Sequence, residues 1–136
     1  MVIDYFSSIP KDKLEFRYQP KKWTIKEVLQ HIIDTERIFT YRLLRIARKD
    51  TTPLAGFDQD IYVDPSEANN KSINDLIEEF STTRLYTINL INSISNENLK
   101  NLGTASNSPV SARACAFILL GHSIWHINII KERYLC

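Results

Sequence analysis

His122 and His126 stand four residues apart, a spacing that stacks both imidazoles on one face of a helix and lets them share a metal ion. The chain has three histidines, and the third is His31. Three neutral imidazoles drawn from two packed helices would form a three-ligand centre with an open position, as in catalytic rather than structural zinc-type sites. The competing reading is that each is a core residue with one ring nitrogen bonded to a carbonyl. Burying an i, i+4 pair is costly unless something engages both rings.

Carboxylates are the other candidates for chemistry. On a helical wheel Glu36 falls within the apolar face formed by Ile25, Ile32, Phe39 and Leu43, and Arg84 falls within that of Ile73, Phe80 and Ile91. A buried charge needs a partner, so an ion pair between the two that sets the register of neighbouring helices is one reading. In the other, Glu36 orients a histidine ligand or moves a proton. Asp58, in the loop that follows, is the second candidate catalytic carboxylate. No Ser-His-Asp, Cys-His or phosphate-loop pattern supplies a rival mechanism.

The elements that must position these residues read as helices. Thr24-Ile25-Lys26-Glu27 is a capping box, with Trp23 placed to pack on Val28, and it opens a helix expected to reach about residue 49. Its stripe is Ile25, Val28, Leu29, Ile32, Phe39, Leu43 and Ile46, with His31 at the edge beside Thr24, Thr35, Ile38 and Arg42. That edge suits a ligand facing a cleft and equally a half-exposed histidine. Ser72-Ile73-Asn74-Asp75 opens a second helix, expected to bury Ile73, Leu76, Ile77, Phe80, Ile88 and Ile91. The last opens near Ser111 and runs to about Tyr134, with Cys115, Ile118, Leu119, His122, His126, Ile129 and Ile130 inward. Before Trp23 there is one short apolar piece, residues 2–6, ended by Pro10. The expectation is an all-α fold, a four-helix bundle whose first helix is short. Two long connections remain: residues 50–71, read as a loop that crosses the bundle or shapes a site, and 95–110, with a helical turn at 96–100.

Composition narrows the rest. At 136 residues the chain makes a single domain, 1–136, able to bury a core without staples. A formal charge of +1 and the lack of a sustained basic run give no reason to expect a nucleic-acid partner. No uninterrupted apolar run approaches the roughly 20 residues of a membrane span, and Asp4 and Pro10 break any secretory leader. Cys115 and Cys136 make no disulfide framework, so a cytoplasmic setting is expected.

The run Lys22-Trp23-Thr24-Ile25-Lys26-Glu27-Val28-Leu29-Gln30-His31-Ile32-Ile33-Asp34-Thr35-Glu36-Arg37, the loop Pro53-Leu54-Ala55-Gly56-Phe57-Asp58 and the ending Gly121-His122-Ser123-Ile124-Trp125-His126-Ile127 resemble the DinB/YfiT-like superfamily. The resemblance extends from about Ser8 to the C-terminus. It implies a four-helix bundle holding a divalent metal, often nickel or zinc, on three histidines, which map onto His31, His122 and His126. It also implies frequent homodimers. Some members of the superfamily are thiol-dependent S-transferases using bacillithiol or mycothiol, and others carry only the label of metal-dependent hydrolases. Members often have Glu and a second His where this chain has Ser123 and Trp125, which leaves the ligand positions but puts a nearby acid–base group in doubt. The expectation is therefore a metal-dependent enzyme acting on a small thiol and an electrophile, with hydrolysis or a non-catalytic metal- or ligand-binding bundle as the alternatives. A catalytic protein should show a cleft beside the histidines lined by the 50–71 loop, whereas a packed Trp125 could close that position in a binding protein.

Overall fold

In the computed structural model, which describes all 136 residues, six helices and one hairpin follow in order. They are α1 (Val2–Ser7), α2 (Ile25–Ala47), α3 (Val63–Ser66), α4 (Ile73–Asn92), α5 (Asn96–Leu99), β1 (Leu102–Ala105), β2 (Ser108–Ser111) and α6 (Ala112–Arg133). The four bundle helices are α1, α2, α4 and α6. α2 is the central one, packing against both α4 and α6, while the short α1 closes one end against the same two.

Each long helix begins where its capping residue dictates. Thr24 Oγ1 accepts the Glu27 N–H at 3.1 Å, and Glu27 in turn accepts the Thr24 N–H at 2.7 Å, completing the box. Ser72 accepts from the Asp75 N–H at 3.0 Å and Ser111 from that of Ala114 at 3.0 Å, but Asp75 returns no bond, so the expected box at α4 is a single cap. α2 stops at Ala47, two residues before the expected end. Lys49 turns left-handed, φ 63°, and the Asp50 N–H reaches back to the Arg45 carbonyl at 3.0 Å.

The core lies in two clusters along α2. Phe6, Leu29, Ile33, Leu76, Phe80 and Ile130 form the one nearest α1. Leu43, Ile46, Leu54, Ala105 and Cys115 form the other, beside the hairpin. Two expected core residues are instead exposed. Ile88 is 45% and Ile118 40% exposed. The buried face of α4 is centred on Leu76, Phe80, Thr83 and Thr87, and that of α6 on Cys115, Leu119, Ser123 and His126. A stripe drawn through apolar residues alone is rotated off that face, because small hydroxyl residues occupy the closest helix contacts. Thr40 and Thr87 meet there at 2.9 Å.

The long connections contain more structure than their sequences suggested. Residues 50–71 hold α3 and 3-10 turns at Asp60–Tyr62 and Ala68–Asn70. The 95–110 stretch contains the expected turn, α5, and then an unexpected antiparallel hairpin. Ser106 and Asn107, both with positive φ (50° and 63°), make its two-residue turn, the geometry that matches strand twist. Leu54 joins the hairpin edge, its N–H 2.9 Å from the Thr104 carbonyl and its carbonyl accepting from Ser106 at 3.1 Å. Strands of four residues, one containing Pro109, carry too little alternation to be read from sequence. Gly103 is required there: a Cβ would come within 2.7 Å of Ile46.

α6 is also long and apolar enough to cross a membrane by length and composition, with a mean hydropathy of 1.3 over its most apolar window. In the bundle its buried stripe is core, and the helix carries His122, Ser123 and His126 along that side.

Candidate metal centre

His31 comes from the second turn of α2, fixed in phase by the Thr24 cap, and His122 and His126 from successive turns of α6. Packing of α2 on α6 brings all three together, with ligand atoms within 4.8 Å of one another. His122 Nε2 is 2.9 Å from His31 Nε2 and 3.0 Å from His126 Nε2. The rings meet edge to face, with centroids 4.5–4.9 Å apart.

All three imidazoles are held neutral. Burial, then repulsion from His122, lowers the pKa of His31 to about 4. Burial, then His122 and His31, lowers that of His126 to about 3, and burial lowers that of His122. A neutral ring nitrogen offers either one in-plane proton or one in-plane lone pair. His122 Nε2 therefore cannot make good hydrogen bonds to both neighbours, and one of its two contacts stays unsatisfied. Two nitrogens bound to one first-row divalent ion at about 2.0–2.1 Å lie roughly 2.9–3.4 Å apart over octahedral to tetrahedral angles. The two contacts of His122 fall in that range and the third nitrogen lies within 4.8 Å, so the donor set suits a divalent metal, and neutral imidazole suits nickel and zinc alike.

The cluster forms the floor of a groove of about 870 Å³. One wall is the segment 17–23 that leads into α2, and another is formed by Gln59, Asp60, Val63 and Asp64 from the 50–71 connection. The expected cleft is thus present. Trp23 lies 4.8 Å from His31, ring to ring, and Trp125 4.7 Å from His126. Trp125 is 57% exposed and stands at the rim rather than packed over the histidines.

A residue outside the candidate set holds the walls in place. Glu27, buried one turn before His31, accepts bonds from Arg17 (2.9 Å) and from Asn69 (2.8 Å) as well as from its own cap. It docks the 17–23 segment and the turn after α3 onto the same point of α2. Its place in the capping box was the visible signal, but the box accounts only for the local bond. Tyr134 adds a second tie, donating to the Trp23 carbonyl at 2.8 Å. Burial raises the phenol's pKa to about 12, so it stays a donor.

The candidate carboxylates lie elsewhere. Glu36 accepts Arg84 Nε at 2.8 and 3.1 Å and Nη2 at 2.8 Å, the inter-helix ion pair of the first reading, and it bonds no histidine. Arg84 also reaches Ser123 Oγ at 3.5 Å, joining α2, α4 and α6 between the two histidines of α6. Asp58 accepts the Asp60 N–H at 3.0 Å just before the turn at the groove wall, while its neighbours Gln59 and Asp60 line the groove.

A family model described as the DinB superfamily matches residues 1–130. The fold is similar to that of YfiT from Bacillus subtilis, described as a probable metal-dependent hydrolase with an unusual four-helix bundle topology. The two superpose with a TM-score of 0.84 at 14% identity, over 96% of this chain and 78% of that one. Comparison with curated proteins finds no match.

Proposed function

This chain belongs to the DinB superfamily, and from that premise and the histidine geometry we propose that it is a metal-dependent enzyme that transfers a small thiol to an electrophile. His31, His122 and His126 hold one divalent ion, nickel or zinc. The observation that carries the reading is His122 Nε2, pressed against two other ring nitrogens that hydrogen bonding cannot jointly satisfy. A divalent ion there favours the anionic form of a thiol or water that meets it, since three neutral ligands leave its charge uncompensated.

The protein's own groups supply position and shielding. Trp23 and Trp125 flank the histidines and limit water around them, and the groove leaves room for a second substrate. The one carboxylate that the two long helices contribute to the groove, Glu27, is engaged by donors from three residues. The carboxylates left free in the groove, Asp60 and Asp64, stand on its wall and not on the helices that bear the histidines, which favours a nucleophile that ionises readily. A thiol, with a pKa of about 8.5, meets that requirement far better than water. In the transfer the thiol gives its proton to solvent, its sulfur bonds to the electrophilic carbon, and the leaving group takes the electron pair of the bond that breaks. Hydrolysis is the second reading, favoured by the description of YfiT as a probable hydrolase.

We place the enzyme in the cytoplasm, with Cys115 and Cys136 reduced, and as a symmetric dimer. Two features support the dimer. The six-residue α1 leaves Leu85 and Ile88 of α4 and Phe117, Leu120 and Ile124 of α6 exposed. Gly121, amid those α6 residues, has nothing within 4 Å of where a Cβ would stand, so the monomer gives no reason for a residue that costs a helix about 1 kcal/mol.

Metal content and a single substitution test the site. The purified protein should bind about one divalent ion per chain by elemental analysis. His126→Ala should lose that ion and most of the thiol transfer, with helical circular dichroism unchanged because alanine suits a helix. Failure of the wild-type protein to take up either zinc or nickel on titration refutes the site.

A further inference from the structure

The middle of the connection between α2 and α4 is held differently from the other connecting segments. No residue from Ala55 to Glu67 is buried, the longest such run in the chain. No hydrogen bond or ion pair joins residues 56–67 to a bundle helix or to the hairpin. Their bonds are local, such as Asp60 to Asp58, Tyr62 to Gln59 and Ser66 to Val63. The other two connections carry long-range ties: the Leu14 carbonyl accepts from the Lys26 N–H at 3.1 Å, and Asn101 donates to the Ala47 carbonyl at 3.1 Å. The fixed points of this segment lie at its two ends. At one, Arg42 of α2, buried and bonded to no carboxylate, donates to the Ala55 carbonyl at 3.0 Å and lies 5.7 Å from the centre of the Phe57 ring. At the other, buried Ala68 precedes Asn69, which donates to Glu27 at 2.8 Å and accepts from Thr24 at 2.7 Å.

Between these posts the segment lies beside α2 with a gap under it. A cavity of about 10 Å³, room for about one water, separates Tyr62, Val63 and Ser66 from His31 and Asp34. Of the three histidines only His31 borders it. Val63 also lines the groove of about 870 Å³, and Tyr62 and Ser66 line a second cleft of about 540 Å³, so raising the segment joins all three spaces. We propose that residues 58–67 form a lid over the His31 side of the cluster, lifting and reseating as one piece between the posts while the bundle stays folded. A segment with so few buried contacts opens at the low end of a protein's stability range, without unfolding α2. Trp23 stands against His31 and Trp125 against His126, so the lid is the flank of His31 that is free to move. Its opening lets small molecules reach or leave that ring without passing the tryptophans. The inference rests on the metal-centre reading only for the use made of the exposed ring, since the movement needs no bound ion.

The test uses chelator-treated protein and diethyl pyrocarbonate, which modifies a neutral imidazole it can reach, at a dose low enough that each chain reacts at most once. Peptide mass spectrometry reads each histidine. His31 and His126 are 6% and 7% exposed and both border the groove, so His126 is the internal control. Arg42→Met removes one post and Asn69→Ala the other. A hydrogen bond to a charged group is worth about tenfold or more in an equilibrium, so each variant should raise the modification rate of His31 about tenfold and that of His126 less than about twofold. An equal rise at both histidines means that the whole bundle has loosened, and overturns the lid. So does an unchanged His31 in either variant. Should a variant fail to fold, relaxation dispersion on the wild-type protein decides: amides of residues 58–67 should share one microsecond-to-millisecond exchange process that α2, α4 and α6 lack, and flat profiles there refute the lid. Zinc and nickel uptake bears on the metal centre alone, so a protein that binds neither metal yet shows the His31 response keeps the lid and loses the centre.

Discussion

Removing one partner of the Glu36–Arg84 pair is the sharpest test of how the bundle sets the site. Glu36 is 1% exposed and Arg84 23%, and three N–H to oxygen contacts of 2.8–3.1 Å join them. Arg84→Met keeps an unbranched apolar stem but removes the guanidinium, which lies 5.0 Å from the centre of the Phe80 ring, and leaves the carboxylate buried without its counter-charge. A buried pair broken in this way costs about 3–5 kcal/mol, whereas replacing both partners with apolar groups of similar volume often costs little. Glu36→Leu should therefore lose a comparable amount, and the Glu36→Leu/Arg84→Met double variant no more than about 2 kcal/mol, leaving a coupling of several kcal/mol. With an unfolding entropy near 2.1 cal/mol/K per residue, a loss of 3–5 kcal/mol lowers the melting temperature of a chain this size by about 10–17 °C. Circular dichroism melts and urea titrations of the four proteins measure it. Because Arg84 also touches Ser123, between His122 and His126, each single variant should weaken metal binding as well as stability. Small, additive losses across the cycle refute both the pairing energy and the claim that it holds the register of α2, α4 and α6.

Two further outcomes follow from the same geometry. Since His31 and His126 are depressed from 6.5 to about 4 and about 3, the unfolded chain takes up protons first as pH falls below 6.5. Metal-free protein should therefore lose stability steadily from pH 6.5 toward 4, by a few kcal/mol in all, and urea midpoints that stay flat between pH 7 and pH 5 would contradict the buried neutral cluster. If α4 and α6 carry the dimer contact, light scattering should give twice the chain mass at micromolar concentration, and Phe117→Lys with Leu120→Lys should give a folded monomer. A monomeric wild type rules the contact out.

Much of this was legible along the chain because it is encoded locally. A cap residue and the amide three positions on lie within one turn, so Thr24, Ser72 and Ser111 mark their helices whatever packs against them. The i, i+4 spacing of His122 and His126 likewise puts them on one face once the segment is helical. Glu36 and Arg84 were visible as charges in apolar stripes, because an unpartnered charge there is too costly to keep. What the tertiary structure alone decided are the long-range matters. The edge position of His31 admitted either a ligand or a half-exposed residue until α2 packed on α6 and placed its ring 2.9 Å from His122. Which face of α4 and α6 is buried depended on helix approach, where threonine and serine fit and isoleucine does not, so Ile88 and Ile118 came out exposed. The hairpin at 102–111 exists because Leu54 and Ile46 pack against it, and four-residue strands have no stability of their own to announce. The groove walls, separated by some forty residues of sequence, meet only because Arg17 and Asn69 both bond to Glu27, a coincidence in space that no local pattern records.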